Sequence, residues 1–348
     1  MADALGAQFV MLADNLWELK LGGRSTRIAN DIMEFDNPVI LELAGMKPIV
    51  YQLLREHNLR VPEHRVFDLD ALPAAYDFLA RHPEGCAVKP ANGTSSGVGV
   101  STHLQTAAEV RRAAVLASLY DRDILIEQMI AGECYRVLVL NGTVVHAVCR
   151  RGIRLLGDGA STIAQLLDAE SARRLAAGVP GLFADRDSAL TLNAQGLTLA
   201  SVPEAGRTLL VKSVGTVHGA GQTAEVRTVY SEDVTDHICP AVRLAAEQAA
   251  GIIGSNLLGV DFILLDPSSP LEQTGGVINE VNTTPGMHHH YDSQRERFPQ
   301  AALQAARVLL GLSAESERGK PHTRADADPS TASGRLVSNC REGRLADV

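Results

Sequence analysis

The chain has 348 residues, 45% of them hydrophobic, and a formal net charge of -9. That is enough for two or three compact lobes with a sizeable core. The acid excess argues against nucleic acid or an anionic membrane as the main partner, although a local cationic pocket for phosphates remains compatible with it.

Asn37-Pro38 reads as an N-cap followed by proline at the first helical position, opening a helix to about Ala44. A second helix follows over roughly Pro48 to His57. Strands and helices then alternate: strand Arg65–Phe67, helix Pro73–Arg81, strand Cys86–Lys89, a Gly-rich loop, strand Gly97–Ser101, helix Thr106–Leu119 and strand Ile124–Glu127. Asn141-Gly142 joins Tyr135–Leu140 to Thr143–Cys149 as a hairpin turn. Residues 161–200 read as helical and loop-rich, a helix spans 238–254, and a last helix runs from Pro299 to Leu310. Beyond Leu312 the chain turns to Ser, Glu, Arg, Gly, Asp and Pro, so 313–348 is expected to be a disordered tail.

The cysteines (Cys86, Cys134, Cys149, Cys239 and Cys340) form no CxxC or other metal spacing. An odd, scattered set reads as reduced thiols of a cytoplasmic protein. Met1 to Met11 lack the basic and apolar regions of a signal peptide, and no apolar run reaches the ~18 residues of a membrane span.

Two segments carry candidate metal ligands. Asp261 sits in Gly259-Val260-Asp261-Phe262-Ile263-Leu264-Leu265; Glu280 and Asn282 sit in Gly276-Val277-Ile278-Asn279-Glu280-Val281-Asn282. Both read as strands, and alternation places Glu280 and Asn282 on one face. If the strands pair, three oxygen donors converge as a hard divalent cation requires; the alternative is two amphipathic strands with solvated carboxylates.

Lys89 ends a strand just before Gly93-Thr94-Ser95-Ser96-Gly97-Val98-Gly99. Glycines there let the backbone approach a polyphosphate, with N–H and hydroxyl donors and one lysine charge beside it. The loop fits neither the Walker nor the GxGxxG pattern, and it also reads as a hairpin turn. Glu127-Gln128-Met129-Ile130 follows the apolar strand Ile124–Ile126, and such a strand end can hold an adenine ring. Lys47 opens the second helix and Lys212 ends the strand Leu209–Val211; each could equally be a surface lysine. Gly215 to Gly221 could close over phosphates or form a turn. His288-His289-His290 cannot all face one ion, and they read better as a polar loop lining a substrate pocket.

The order of these pieces resembles the ATP-grasp superfamily, most of all the ATP-grasp module shared by cyanophycin synthetases and bifunctional glutathione synthetases. The resemblance runs from about Asn15 to Tyr291. It rests on Leu16-Trp17-Glu18-Leu19 with Gly22 and Arg27-Ile28, Glu42-Leu43-Ala44 before Lys47, Val61-Pro62-Glu63, and Val88-Lys89-Pro90 with its loop. It continues through Glu127, Gly132-Glu133 with Tyr135-Arg136, Arg150-Arg151, Gly157 to Ile163, Gln195-Gly196 and Ser201-Val202-Pro203. It ends on Glu280-Val281-Asn282; the run Asn282-Thr283-Thr284-Pro285-Gly286-Met287 also resembles the D-alanine–D-alanine ligase site.

The resemblance implies an α+β fold of two α/β lobes clasping ATP: a reduced amino-terminal segment 1–45, a lid lobe 46–128, a catalytic lobe 129–312 and the tail 313–348. It implies an ATP-dependent ligase that joins a small-molecule carboxylate to an amine through an acyl phosphate, on amino acids or small peptides. Lys47, Lys89 and the loop Gly93, Thr94, Ser95, Ser96, Gly97 and Val98 would contact phosphates. Glu127, Gln128, Met129 and Ile130 would hold adenine, and Lys212 would reach the γ-phosphate. Asp261, Glu280 and Asn282 would bind two Mg²⁺, for which Mn²⁺ could substitute.

Arg136, Arg150 and Arg151 are candidates for gripping a carboxylate or tetrahedral intermediate, because the planar guanidinium suits such groups. Thr283, Thr284, Pro285, Gly286, His288, His289, His290 and Tyr291 would form the substrate loop. Two departures stand out. Cys134 occupies the position of the usual acidic ribose contact, with Glu133 one residue early, and Gly259 stands where D-alanine ligases carry an arginine. A homodimer is compatible with the sequence, and no nucleic-acid or membrane partner is expected. A kinase that stops at phosphorylation and a nucleotide-binding regulatory protein are the alternatives.

Overall fold

In the computed structural model the described residues are 2–93, 97–177, 181–213, 216–219, 222–225, 231–291 and 299–312. Thr94, Ser95, Ser96, parts of the 215–221 loop and the tail 313–348 lie outside them.

The chain opens with α1 (Ala2–Leu5) and a four-stranded antiparallel meander: β1 (Gln8–Ala13), β2 (Leu16–Leu21), β3 (Arg24–Ala29) and β4 (Ile32–Met33). The sequence reading gave this stretch no strands, and the structure makes 8–33 a sheet. Next come α2 (Pro38–Gly45) and α3 (Lys47–Glu56). Asn37 caps α2 as expected: its side-chain oxygen accepts from the backbone N–H of Val39 at 3.0 Å and Ile40 at 3.1 Å.

The second sheet is built from β5 (His64–Phe67), β6 (Cys86–Pro90), β7 (Ser101–Leu104) and β8 (Ile124–Gln128), ordered β5-β8-β6-β7, with α4 (Leu72–Ala80) and α5 (Ala107–Ala117) interleaved. Alternation divides its residues. Cys86, Val88, Ile124 and Ile126 pack with Phe78, Ala113 and Ala114 of the helices, while Ala87, Lys89 and Glu127 face a cavity. The strand expected over Gly97–Ser101 begins only at Ser101, because Gly97 and Gly99 both take a φ of 73° and turn the chain.

The third sheet contains β9 (Glu133–Leu140) and β10 (Thr143–Arg150), whose turn residues Asn141 and Gly142 have φ of 48° and 74°, as a two-residue hairpin with primed geometry requires. The chain continues through β11 (Ile153–Leu156), α6 (Ile163–Ala176), α7 (Arg186–Asn193), β12 (Thr208–Lys212), β13 (Thr216–Gly219), β14 (Gln222–Glu225) and β15 (Ser231–Asp233). Then come α8 (Pro240–Ile253), β16 (Leu257–Leu264), α9 (Leu271–Thr274), β17 (Val277–Asn282) and α10 (Gln300–Leu309).

The third sheet is ordered β15-β10-β9-β16-β17. One face, with Val137, Val139, Leu258, Val260 and Phe262, buries against Val242, Ala246 and Ala249 of α8. The other face carries Arg136, Arg150 and Asp261 into the cavity that the second sheet also lines. Between the two sheets, Gly132 (φ 133°) passes so close to the end of β16 that an added Cβ would meet the Leu264 carbonyl oxygen at 2.2 Å. Among the described residues no helix is long and apolar enough to cross a membrane.

Candidate active site

The cavity measures about 880 Å³, within the usual range for a small-molecule site. Among its lining residues are Lys47, Lys89, Gly97, Glu127, Gln128, Met129 and Ile130 on one side. Glu133, Arg136, Arg150, Asp261, Glu280, Asn282, Thr284, Gly286, His288 and His289 lie on the other.

The β16–β17 register decides the carboxylate geometry. Asp261 lies opposite Glu280 and Gly259 opposite Asn282, so the three oxygen-bearing side chains share one face as the sequence alternation required. Glu280 is half-buried, with the Lys47 ammonium 4.0 Å from its Oε1. Asn282, which also lines the cavity, gives its amide N–H to the Gly259 carbonyl at 3.5 Å. Burial pushes the Lys47 ammonium below its ordinary pKa, against the pull of Glu280.

Asp261 is engaged more fully. Arg136, directly opposite it on β9, grips it with two bonds, Nε to Oδ1 at 2.5 Å and Nη2 to Oδ2 at 2.6 Å. Arg150 adds Nη1 to Oδ2 at 3.5 Å. Burial pushes the Arg136 pKa down, but Asp261, with Cys134 and Glu280, draws it up to a net rise. Arg136 lies over Gly259: a Cβ there would meet Arg136 Cδ and Pro285 Cβ, each at 3.0 Å. Gly259, where D-alanine ligases carry an arginine, thus leaves room for the Arg136 side chain from the neighbouring strand.

A carboxylate offers about four acceptor positions. The two arginines take three at Asp261, so it can share at most one with a cation. Glu280 and the Asn282 carbonyl are hard oxygen donors facing open cavity and suit a divalent ion. No cluster of three or more His, Cys, Asp or Glu side chains with a metal-ligating arrangement is present among the described residues. The donor set therefore fits a cation held mainly by Glu280 and Asn282.

On the second sheet, Lys89 and Glu127 form a buried pair at 2.8 Å. Tyr51 of α3 completes it. Lys89 Nζ donates to the phenol oxygen at 3.1 Å, and the phenol donates to the Asn279 carbonyl at 2.5 Å, with Glu127 Oε2 3.1 Å away. Tyr51 escaped the sequence reading, because a lone aromatic on an amphipathic helix looks like core. The available signal was its i, i+4 spacing from Lys47, which puts both on one helix face.

The remaining candidates divide. Gln128 accepts from Glu63 N–H at 3.1 Å and Met129 N–H donates to the Gly85 carbonyl, so part of that strand end is already bonded. Glu133 is ion-paired with Arg154, a second cavity-lining residue the sequence did not single out. Lys212 is buried, held by Asp185, and is not among the cavity-lining residues. Arg151 pairs with Glu232 at 2.8 Å and is about half exposed, away from the cavity. Gly93 and Val98 also lie outside the lining.

In the substrate loop, Thr284, Gly286, His288 and His289 line the cavity, whereas Thr283, Pro285, His290 and Tyr291 do not. His290 is buried against His146, their Nδ1 atoms 3.1 Å apart. Burial, with Arg150 and Arg136 nearby, holds His289 neutral.

This arrangement, two sheets meeting around one cavity lined by lysines and strand carboxylates, is the ATP-grasp fold. The structure superposes on that of a bifunctional glutathione synthetase from Pasteurella multocida with a TM-score of 0.54 and 20% identity, covering 89% of this chain and 42% of that one. In sequence the chain is similar to cyanophycin synthetase of Trichormus variabilis, 30% identical over 256 residues, which is 72% of this chain and 27% of that protein. It is also similar to the glutathione biosynthesis bifunctional protein GshAB of Listeria innocua, 27% identical over 273 residues, or 76% of this chain and 34% of that one. The chain thus spans roughly a quarter to a third of the length of these relatives. No family model matches it.

Proposed function

We propose that this chain is an ATP-dependent carboxylate–amine ligase. The observation that supports this most is the convergence of Lys47, Lys89, Asp261, Glu280 and Asn282, from four separate segments, on one cavity of an ATP-grasp fold. Residues 46–128 act as the lid lobe and 129–312 as the catalytic lobe. ATP enters as a substrate, its adenine against Gln128–Ile130 and its phosphates near Lys47 and Lys89.

Glu280 and Asn282, with at most one position from Asp261, would hold Mg²⁺. When bound, Mg²⁺ supplies positive charge to the phosphate oxygens; a second ion, or Mn²⁺ in its place, is the finer form of this reading. Lys47 and Lys89 add point charges to the same oxygens. Lys212 serves the γ-phosphate only on leaving Asp185. Arg136 and Arg150 keep the Asp261 carboxylate neutralised, and Arg150, bound to it through Nη1, is the one placed to meet substrate.

A substrate carboxylate oxygen attacks the γ-phosphorus and ADP leaves with the broken bond's electrons, giving an acyl phosphate. An amine nitrogen then attacks the acyl carbon, the carbon–oxygen bond to phosphate breaks, and the amine loses a proton as the amide forms. No protein nucleophile is needed. The chain's own part is to position, to neutralise charge and to exclude water.

The substrates are small carboxylates and amines, amino acids or short peptides. The test is a phosphate-release screen of such acids and amines in pairs, with mass spectrometry of the products. A ligase yields ADP, phosphate and a new amide, only when both partners are present. Phosphorylation without an amine requirement, or nucleotide binding without turnover, overturns it.

A further inference from the structure

Tyr51 is the point where α3, the lid-side sheet and β17 meet. Its ring packs with Ala91 and Leu125, and it is 1% exposed. A phenylalanine would fill that space, so the hydroxyl needs a separate reason.

The proton count supplies one. The Lys89 ammonium has three N–H donors. Glu127 takes one at 2.8 Å and the Tyr51 oxygen takes another at 3.1 Å, which turns the third toward the cavity that Lys89 lines. A phenol has one proton to give. The Asn279 carbonyl at 2.5 Å takes it in preference to Glu127 Oε2 at 3.1 Å, and because an ammonium has no lone pair the phenol oxygen accepts from Lys89. Burial, then Glu127 and Glu280, holds the phenol protonated well beyond the ordinary tyrosine range. Asn279 is the residue before Glu280, and one helical turn before Tyr51 the ammonium of Lys47 stands 4.0 Å from Glu280. One face of α3 therefore sets both lysines against the strand that carries the candidate cation ligand.

We propose that Tyr51 is a positioning residue: its hydroxyl fixes the direction of the Lys89 ammonium and registers it against β17, so that nucleotide phosphates meet Lys89 and Glu280 at one set distance. This inference rests on the nucleotide site proposed above. It goes beyond that reading by assigning phosphate placement to a residue that touches no phosphate itself.

The experiment uses the full chain and compares wild type with Tyr51→Phe by calorimetry. The probes are adenosine alone and a non-hydrolysable ATP analogue with Mg²⁺. The hydroxyl acts on the phosphate end, so Tyr51→Phe should weaken the triphosphate analogue about tenfold, the worth of one hydrogen bond to a charged group, while adenosine affinity stays as in wild type. A purely structural tyrosine would lower the melting temperature and leave the ratio of the two affinities unchanged, and that result overturns the proposal.

Wild type that fails to bind the triphosphate analogue sinks the nucleotide reading and this inference together. Wild type that binds it, with an unchanged ratio in Tyr51→Phe, sinks this inference only. If Tyr51→Phe does not fold, Lys89→Gln keeps the inference falsifiable: undiminished binding of the triphosphate analogue overturns it, because the ammonium that the phenol fixes then contributes nothing.

Discussion

The two sheets that face the cavity each bury a cross-strand ion pair, and the pairs are built to opposite ends. On the lid side, Lys89 and Glu127 sit on neighbouring strands β6 and β8, and the cation keeps a donor for the cavity. On the catalytic side, Arg136 and Asp261 sit directly opposite on β9 and β16, and the fork of the guanidinium closes on both carboxylate oxygens. A lysine is a point charge with three donors and can serve two partners and a ligand; an arginine used bidentately is committed to one carboxylate. The sheet of β5–β8 thus exports positive charge to the cavity, whereas the sheet of β9 and β16 quenches a negative one. Glu280, 4.0 Å from the Lys47 ammonium, is left as a strand carboxylate open to a cation.

The largest test of this contrast is Glu280→Gln. It removes the half-buried carboxylate while keeping the shape, and should leave ATP-dependent phosphate release at roughly one-thousandth of wild type or less, the scale of several kcal/mol of lost charge stabilisation. The thermal melt should be near normal, because the side chain is half-buried and its ion pair is long. Near-normal rates at saturating Mg²⁺ would sink the assignment of Glu280 as a ligand of the cation.

Next in size is Arg136→Met. If the arginine quenches Asp261, its loss strands a buried carboxylate beside Arg150 and should cost about 3 kcal/mol in denaturant unfolding. Adding Asp261→Asn removes the stranded charge and should recover part of that loss. A destabilisation that the second substitution leaves unchanged would mean that Arg136 acts by packing over Gly259 and not by charge.

Much of this was legible in sequence, and the rest was not for identifiable reasons. The placement of Glu280 and Asn282 on one face follows from strand alternation, the Asn37 cap and the Asn141-Gly142 turn from local chemistry, and each is observed. These features depend on residues a few positions apart. The Arg136–Asp261 clamp spans 125 residues and the bond from Tyr51 to Asn279 spans 228, so neither leaves a spacing to read. The β1–β4 meander was missed because Gln8–Ala13 is apolar without alternation and exposed along nearly its whole length.

Arg150 and Arg151 show the same lesson within one dipeptide. Consecutive side chains near a strand end point apart. Arg150 is buried on the cavity face at Asp261, and Arg151 reaches out to Glu232. Arg150→Ala should therefore lower both turnover and stability more than Arg151→Ala, whose exposed ion pair is worth under about 1 kcal/mol. Equal losses in the two variants, by melting and by phosphate release, would place Arg151 at the site after all.

The smallest effect concerns how firmly the two sheets hold together. Cys86 lies on β6 in the core of the lid-side sheet, and Cys149 on β10 in the core of the catalytic one. Burial pushes the Cys86 thiol up to about 12 and the Cys149 thiol up to about 11. Both are therefore raised acids that stay as unreactive thiols at pH 8.5, where an ordinary cysteine is already about half thiolate. Neither should be alkylated by iodoacetamide in the native protein, whereas half-buried Cys239 should be. Labelling of the first two then requires local opening, after which both have ordinary pKa values and the rates compare opening alone. The lid-side core is the smaller of the two clusters and draws on Ala75, Ala113, Ala114 and Ala117, so it buries less apolar surface per opening event. In mild denaturant, peptide mass spectrometry should find Cys86 alkylated several-fold faster than Cys149, a ratio set by a difference of about 1 kcal/mol in opening. Equal rates would mean that the two sheets open as one cooperative unit, and the contrast between them would then be one of charge and not of stability.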